Sequence, residues 1–181
     1  DHKDDTYWFY STENAKNGKV SSLQIKNGSF VWNDLVKETS NSIRGVNLIN
    51  DSIAVTYLID TFSEVHFYSL DGTFLKTLAM TEKGTIAGFG GGLEDTTTYF
   101  SYTNFVTPKK IYEIDLVNMS KKIFWEEKLK DFNTNDYISD FRFYESKDGT
   151  KIPIHISYKK SLNINETTPV LIYGYGGFNI S

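Results

Sequence analysis

The feature that most constrains this chain is a repeat of about 46 residues within its first 130 positions. Residues 52–80 and 98–126 both read as an apolar strand, a polar turn, a second strand that ends near an acidic turn, and a third strand. Three pairs of apolar residues lie 46 positions apart, namely Ile53 and Tyr99, Val65 and Ile111, and Leu70 and Leu116. A fainter copy of the same order begins at Tyr7.

This repeat predicts a β-propeller, because a period of about 40–50 residues with several short strands is typical of propeller blades. A blade is a small twisted sheet that cannot bury both faces alone, so stacking against neighbours completes its core. We assign approximate blades to residues 1–39, 40–83 and 84–130, within a partial propeller at 1–135. Three blades cannot close a ring of about 4–8, so the first should expose an apolar face. A β-sandwich with evenly spaced strands is the alternative.

Composition argues against several classes of function. The net charge of −4 argues against nucleic-acid and anionic-membrane partners. No apolar stretch reaches the length of about 18 residues that a membrane-spanning helix needs. The absence of cysteine removes disulfides, thiolate metal sites and a cysteine nucleophile, and it favours a cytoplasmic location. Because no His, Asp or Glu cluster has ligand spacing, we expect neither a metal nor another cofactor.

Two hairpins are predicted from Asp-Gly turns. Residues 67–78 form one hairpin, with Asp71-Gly72 as a two-residue primed turn, and the other turns at Asp148-Gly149. In the second strand of the later hairpin, isoleucine and tyrosine alternate with more polar residues, which predicts one apolar and one polar face. His155 lies on the polar face.

The run PVLIY at residues 169–173 is apolar on both faces, as is typical of a central strand covered by helices on each side. Such a strand does not belong in a blade, where residues alternate. We therefore predict that residues 136–181 are the opening part of a second, α/β domain.

A glycine-rich turn at residues 173–178, Tyr-Gly-Tyr-Gly-Gly-Phe, follows that run and is the strongest candidate site. Glycines let the backbone come close to a ligand, and α/β folds place their sites at the carboxyl ends of central strands. In α/β-hydrolases the loop after the third strand supplies part of the oxyanion hole. A purely structural turn is the alternative.

Other motifs are weaker candidates. GFGGGLED at residues 88–95 lacks the lysine and the helix of a phosphate loop, and we place it at a turn between blades. His2, His66 and His155 have no serine partner at recognisable spacing, and the chain has no Gly-x-Ser-x-Gly elbow. We interpret all three histidines as structural and assign no nucleophile.

SKDGTKIP at residues 146–153, followed by YGYGGFNIS at 173–181, resembles the prolyl oligopeptidases, also called prolyl endopeptidases. The spacing of the two motifs and the stretch FVTPKKIYEIDL at 105–116 are similar to that family as well. The resemblance covers essentially the whole chain and is closest from residue 140 on. It implies that the blades are the last part of a seven-bladed propeller that caps an α/β-hydrolase domain.

The resemblance also implies a serine peptidase that cleaves short peptides on the carboxyl side of proline. By position, Tyr175 matches the tyrosine whose hydroxyl donates to the oxyanion, and Phe178 matches an aromatic residue that lines the proline-ring pocket. The catalytic serine, aspartate and histidine would lie in the rest of the hydrolase domain, outside these 181 residues, so the chain alone should be inactive. The alternative is a non-catalytic propeller-type binding module.

Overall fold

The computed structural model describes residues 2–174 of the chain. Four antiparallel sheets contain the strands of these residues, and the only helical element among them is a 3₁₀ turn at Thr134–Asp136. The described part of the chain is therefore mainly β, as the sequence predicts.

Sheets 1 to 3 each have four strands ordered along the chain, whereas sheet 4 is a single hairpin. Sheet 1 consists of β1 (His2–Lys3), β2 (Thr6–Ser11), β3 (Lys19–Lys26) and β4 (Ser29–Val36). Sheet 2 consists of β5 (Ser42–Ile49), β6 (Ser52–Ile59), β7 (Phe62–Ser69) and β8 (Phe74–Thr77). Sheet 3 consists of β9 (Thr85–Gly88), β10 (Thr97–Thr103), β11 (Lys110–Asp115) and β12 (Lys121–Glu126). Sheet 4 consists of β13 (Tyr137–Glu145) and β14 (Lys151–Lys159).

The apolar cores lie between neighbouring sheets. The core between sheets 1 and 2 contains Trp8, Val20, Val36, Ile43, Leu48, Ile53, Val55 and Tyr57. The core between sheets 2 and 3 contains Ile49, Ala54, Val65, Phe67, Leu78, Ile86, Phe89, Phe100, Tyr102, Ile114 and Leu116. Successive side chains of β6 point to opposite faces, so Ile53 enters the first core and Ala54 the second. Sheet 2 is buried on both faces, which disagrees with a two-sheet sandwich.

The outer faces of sheets 1 and 3 carry exposed apolar side chains. On sheet 1, Phe9, Phe30 and Trp32 lie on the face that points away from sheet 2, and Phe30 is 70% exposed. On sheet 3, Tyr99 and Phe124 pack together with ring centroids 5.0 Å apart, and both are exposed. The exposed apolar face predicted for the first repeat is confirmed.

The repeat is present in the structure, but one of its predicted pairings is wrong. Val65 and Ile111 lie on equivalent strands, 46 positions apart. The residues that pair with them on the preceding strands are 45 positions apart, one fewer than predicted. Ile53 therefore corresponds to Thr98, which is also buried, and not to Tyr99. A shift of one residue moves a side chain to the other face of a strand. Tyr99 accordingly lies on the outer face of sheet 3.

The predicted two-residue turn at Asp71-Gly72 is also wrong. The loop has three residues, 70–72, and is closed by a 2.9 Å hydrogen bond from the Ser69 amide to the Thr73 carbonyl. Gly72 has a positive φ of 89°, whereas a type I′ turn requires a positive φ at both central residues. The same Ser-x-Asp-Gly-Thr sequence at 146–150 forms the same loop, with Gly149 at a φ of 82°.

The glycine-rich segment at 88–95 connects β9 to β10 within sheet 3, so its predicted place between blades is wrong. The strand before this segment, β9, is only four residues long, which makes it difficult to recognise from the sequence. Phe89 in this segment is fully buried and stacks on Phe100 with ring centroids 5.2 Å apart. The Leu93 carbonyl accepts a 2.8 Å hydrogen bond from the Asp51 amide. The segment therefore packs sheet 3 against sheet 2.

Residues 169–173 do not form the predicted central strand. Within residues 2–174 no strand pairs with them, and Val170, Leu171, Ile172 and Tyr173 are 79%, 94%, 86% and 83% exposed. A central strand needs a neighbour on each side to pair its backbone N–H and C=O groups. The described residues supply neither neighbour, which explains the difference from the prediction.

The loop at residues 70–72 joins sheet 2 to sheet 1. The Trp8 indole Nε1 donates a 3.1 Å hydrogen bond to the Leu70 carbonyl. A Cβ atom added to Gly72 would lie 2.5 Å from the Leu35 carbonyl oxygen in β4. The backbone of this loop therefore packs directly on the backbone of sheet 1, at a distance that only glycine allows.

We expect Gly72→Ala to lower the free energy of unfolding more than the matched change Gly149→Ala. Both glycines have a positive φ in the same loop type, so both changes carry a backbone cost of about 1–2 kcal/mol. The nearest atom to a Cβ on Gly149 is Glu145 Oε1 at 4.0 Å. A Cβ on Gly72 would meet rigid backbone, and this clash adds about 1–3 kcal/mol to the loss of unfolding free energy. Urea unfolding of both variants measures the difference, and equal losses would contradict the close packing of this loop.

Candidate functional site

Tyr175 and Phe178, the two residues with predicted catalytic and binding roles, lie outside the described residues. Their assignment as oxyanion donor and proline-pocket wall stays a prediction. The segment that leads to them, up to Gly174, is exposed and unpaired in the described part of the chain.

Sheet 4 has two chemically different faces. Its register pairs Phe141 with His155, so both side chains lie on one face. The opposite face carries Ile154 and Ile156, each 37% exposed. The isoleucines of β14 share one face as predicted, although β13 adds the Asp140–Arg142 ion pair to it, and the face predicted to be polar is not simply solvated. His155 on that face contacts aromatic and polar residues at the turns of sheets 2 and 3.

Six residues from well-separated parts of the chain meet at this contact, and we call them the turn cluster. They are Thr61 in the β6–β7 turn, Phe62 at the start of β7, Lys83 between β8 and β9, Phe105 between β10 and β11, Phe141 on β13 and His155 on β14. The turn cluster is the place where sheet 4 contacts the turns of sheets 2 and 3.

His155 is held in the turn cluster by one hydrogen bond and two aromatic rings. Its Nε2 atom lies 2.7 Å from Thr61 Oγ1. Its ring centroid lies 4.8 Å from that of Phe105 and 5.1 Å from that of Phe141. Burial lowers the pKa of His155 below its ordinary value of 6.5, and the positive charge of Lys83 lowers it further. The surroundings therefore favour the neutral imidazole.

Lys83 lies over two aromatic rings of the same cluster. Its Nζ atom is 4.3 Å from the ring centroid of Phe62 and 4.0 Å from that of Phe141. The two rings meet edge to face, with centroids 5.7 Å apart. A cation within about 6 Å of a ring centroid is attracted by the negative face of the ring. Because Phe62 begins β7 and Phe141 lies on β13, this one ammonium group joins sheet 2 to sheet 4.

Sequence reasoning missed the turn cluster. Thr61 and His155 are 94 residues apart, and no motif links them. The available signal was the predicted hairpin itself, whose register places Phe141 opposite His155. An aromatic residue opposite the histidine indicates a packed rather than a solvated face.

The other histidines have structural neighbours inside sheets 1 and 2. His66 Nε2 lies 2.6 Å from Glu64 Oε1 on the same strand, and the His2 ring stacks on Tyr7 at 5.4 Å. Within residues 2–174, no group of three or more His, Asp or Glu side chains could hold a metal ion.

A groove lies where sheets 1 and 2 meet the β9–β10 segment. It is lined by Trp8, Tyr10, Val46, Asn47, Leu48, Gly90 and Gly91. None of these residues is charged, and the Asn47 amide donates at 3.2 Å to the Gly88 carbonyl. The groove therefore presents little chemistry that could select a ligand.

No helix in the described part of the chain is long and apolar enough to span a membrane.

Comparison with known proteins shows where the chain belongs. Residues 1–127 match the family described as prolyl oligopeptidase, N-terminal beta-propeller domain. The prolyl endopeptidase of Elizabethkingia meningoseptica is 34% identical over 178 residues, which are 98% of this chain and 25% of that protein. Prolyl oligopeptidase A of Galerina marginata is 32% identical over 185 residues, which cover 99% of this chain and 25% of that protein. The chain spans about a quarter of the length of these relatives.

Solved structures agree with the sequence matches. Prolyl oligopeptidase B from Galerina marginata, as the apo protein, superposes with a TM-score of 0.81 at 25% identity, covering 88% of this chain and 23% of that one. The same enzyme bound to a 35mer hydrolysis and macrocyclization substrate gives a TM-score of 0.76 at 25% identity, covering 88% of this chain and 23% of that one.

Sheets 1 to 3 therefore match a fragment of the β-propeller of prolyl oligopeptidase. Because the family match covers more than two thirds of the residues, the chain belongs to the prolyl oligopeptidase family of serine peptidases.

Proposed function

We propose that this chain is a segment of a serine endopeptidase that hydrolyses short peptides on the carboxyl side of proline. The observation that carries the proposal is its similarity, over 98% of its length, to two prolyl endopeptidases at 34% and 35% identity. In this proposal sheets 1 to 3 are blades of a seven-bladed propeller, and the remaining blades cover the apolar outer faces of sheets 1 and 3.

The proposed division of the chain is a partial propeller at residues 1–135 and the start of an α/β-hydrolase domain at 136–181. The end of the family match at residue 127 supports this boundary, as does the unpaired stretch between β12 and β13. The exposed run at 169–173 would become a central strand once the rest of the hydrolase domain lies beside it. We further propose that the enzyme acts in the cytoplasm, on peptides small enough to pass the propeller.

Tyr175 is the proposed donor to the oxyanion that develops during peptide-bond cleavage. A preorganised hydroxyl aimed at that oxygen stabilises the transition state more than the ground state. The second donor would be the backbone N–H after the catalytic serine, which this proposal places C-terminal to the chain. The tyrosine therefore stabilises a charge that other parts of the enzyme create.

In the full-length enzyme we expect Tyr175→Phe to lower kcat by about 10²–10³, because one oxyanion donor is lost. The thermal midpoint should not change, since the ring is retained. Tyr173→Phe is the matched control: it removes the same hydroxyl two residues away, from the end of the proposed central strand and not from the proposed oxyanion hole, and should leave kcat unchanged. Unchanged kcat in Tyr175→Phe would remove this tyrosine from the mechanism.

Phe178 is the proposed wall of the proline-ring pocket. We expect Phe178→Ala to lower kcat/KM for a proline-containing peptide by about 10–100-fold, because an apolar contact worth about 1–3 kcal/mol is lost. A matching peptide with alanine in place of proline should lose less, since it makes less contact with the ring. Equal losses for the two peptides would show that Phe178 does not contact the proline.

The isolated chain should not hydrolyse a proline-linked chromogenic peptide, because the proposed serine, aspartate and histidine are not among its residues. Release of chromophore above a buffer blank, abolished by a serine-reactive fluorophosphonate, would contradict this expectation. The alternative, a non-catalytic binding module, would gain support if the coding sequence beyond Ser181 continued with blade repeats and no Gly-x-Ser-x-Gly elbow.

A further inference from the structure

The turn cluster is the described contact between sheet 4 and the turns of sheets 2 and 3. The covalent link between sheets 3 and 4 is the stretch from residue 127 to 136, which contains no strand. Such a connection fixes the position of the hairpin less firmly than a paired strand would. The side chains of the turn cluster add the contacts that join the hairpin to the turns of sheets 2 and 3.

We propose that the turn cluster is a proton-controlled latch that holds sheet 4 against sheets 2 and 3 while His155 is neutral and releases it when His155 is protonated. The proposal rests on the position of the imidazole, whose ring centroid lies 4.8 Å from that of Phe105 and 5.1 Å from that of Phe141, the ring that also lies 4.0 Å from the Lys83 ammonium. It does not depend on the peptidase assignment.

Protonation of His155 would place a second cation in a cluster that already holds one. Lys83 is committed to the Phe62 and Phe141 rings at 4.3 and 4.0 Å. An imidazolium next to the same Phe141 ring would compete with Lys83 for the negative face of that ring. The two positive charges would also repel each other. The hydrogen bond to Thr61 does not resist the change, because a hydroxyl can donate to a neutral ring nitrogen or accept from a protonated one.

The acidic residues around the cluster are poorly placed to neutralise that second charge. Asp60, next to Thr61, is exposed to solvent, and the charge that shifts the pKa of His155 is that of Lys83 and not that of Asp60. Glu82, next to Lys83, accepts a 3.1 Å hydrogen bond from the Asn104 amide. Asp140 pairs with Arg142 at 2.6 Å, and both lie on the opposite face of β13 from Phe141.

The basic residues on the same face of β14 lie further off. Lys151 and Lys159 are four positions on either side of His155, about 13 Å along the strand. Lys159 lies over the Tyr137 ring at 5.9 Å. Lys83 is therefore the charge that acts on His155.

The direction of the pH response follows from the difference between the docked and the released hairpin. Burial and Lys83 lower the pKa of docked His155, whereas a released, solvated histidine returns to about 6.5. The released form thus binds the proton more readily. The latch is at full strength above about pH 6.5 and weakens as the pH falls below it.

The test measures the distance between sheet 3 and sheet 4 directly, in the full-length protein that carries this chain. Nitroxide labels are placed on cysteines at Glu94→Cys, in the segment between β9 and β10 of sheet 3, and Lys147→Cys, at the tip of sheet 4, in a background without other cysteines. Both positions are exposed, and electron–electron double resonance gives the distance distribution at pH 8 and pH 5.5. We expect one narrow distance at pH 8 and a second, longer population at pH 5.5.

Three variants separate the charge from the packing. His155→Phe keeps an aromatic ring that cannot titrate, and should give the same distribution at both pH values. Lys83→Met should raise the released fraction at pH 8, because the cation–π contacts are lost, and should shrink the further increase at pH 5.5. Lys160→Met removes an exposed charge at the end of β14 and should behave like the unaltered protein.

Two results would overturn the latch. One is a distance distribution of the unaltered protein that does not change between pH 8 and 5.5. The other is a pH response of His155→Phe as large as that of the unaltered protein. If circular dichroism shows that His155→Phe is unfolded, His155→Gln serves in its place, because the amide can still bond Thr61 and carries no charge. Peptidase activity enters neither result, so failure of the latch and failure of the proposed function are distinguishable.

Discussion

The rest of the structure depends on sheets that are apolar on both faces and can bury them only against another sheet. Sheet 2 shows the principle most clearly, because Ile53 and Val55 point into one core and Ala54 into the other. Burial of such side chains contributes about 1.5–3 kcal/mol each for the larger ones, and it requires a neighbour on both sides. Sheets 1 and 3 have one neighbour each among the described residues, which leaves Phe30 and Phe124 exposed. The same physical requirement explains both the cores and the exposed faces.

Backbone contacts add a second constraint to this stacking. The loop at residues 70–72 lies directly on β4, and the Leu93 carbonyl accepts a hydrogen bond from the Asp51 amide. Such contacts fix how far one sheet can slide over the next, which apolar packing alone does not. The turn cluster uses a different chemistry again, with a lysine over two rings and a half-buried histidine instead of an ion pair. It can respond to protonation, which an apolar core cannot.

The sequence predicted the order and spacing of the strands well, because turn residues and alternating side chains are local signals. It failed where a single residue decides the outcome. Ile53 was aligned with Tyr99 instead of Thr98, and the primed turn at Asp71-Gly72 proved to be a three-residue loop. The central strand predicted at 169–173 is unpaired among the described residues, because an apolar composition does not supply a hydrogen-bonding partner, and it stays a prediction for the full enzyme.

The sequence by itself determined that the chain is a repeated set of small antiparallel sheets, and its motifs pointed to the prolyl oligopeptidase family, because periodicity and short motifs are contained in the order of residues. It also determined which two residues, Tyr175 and Phe178, deserve the first mutations. Only the tertiary structure decided that Thr61 and His155, 94 residues apart, lie within 2.7 Å of each other, and that Lys83 links sheet 2 to sheet 4. Contacts of this kind arise from how sheets stack and how a hairpin docks on their turns, and no local pattern of residues encodes either.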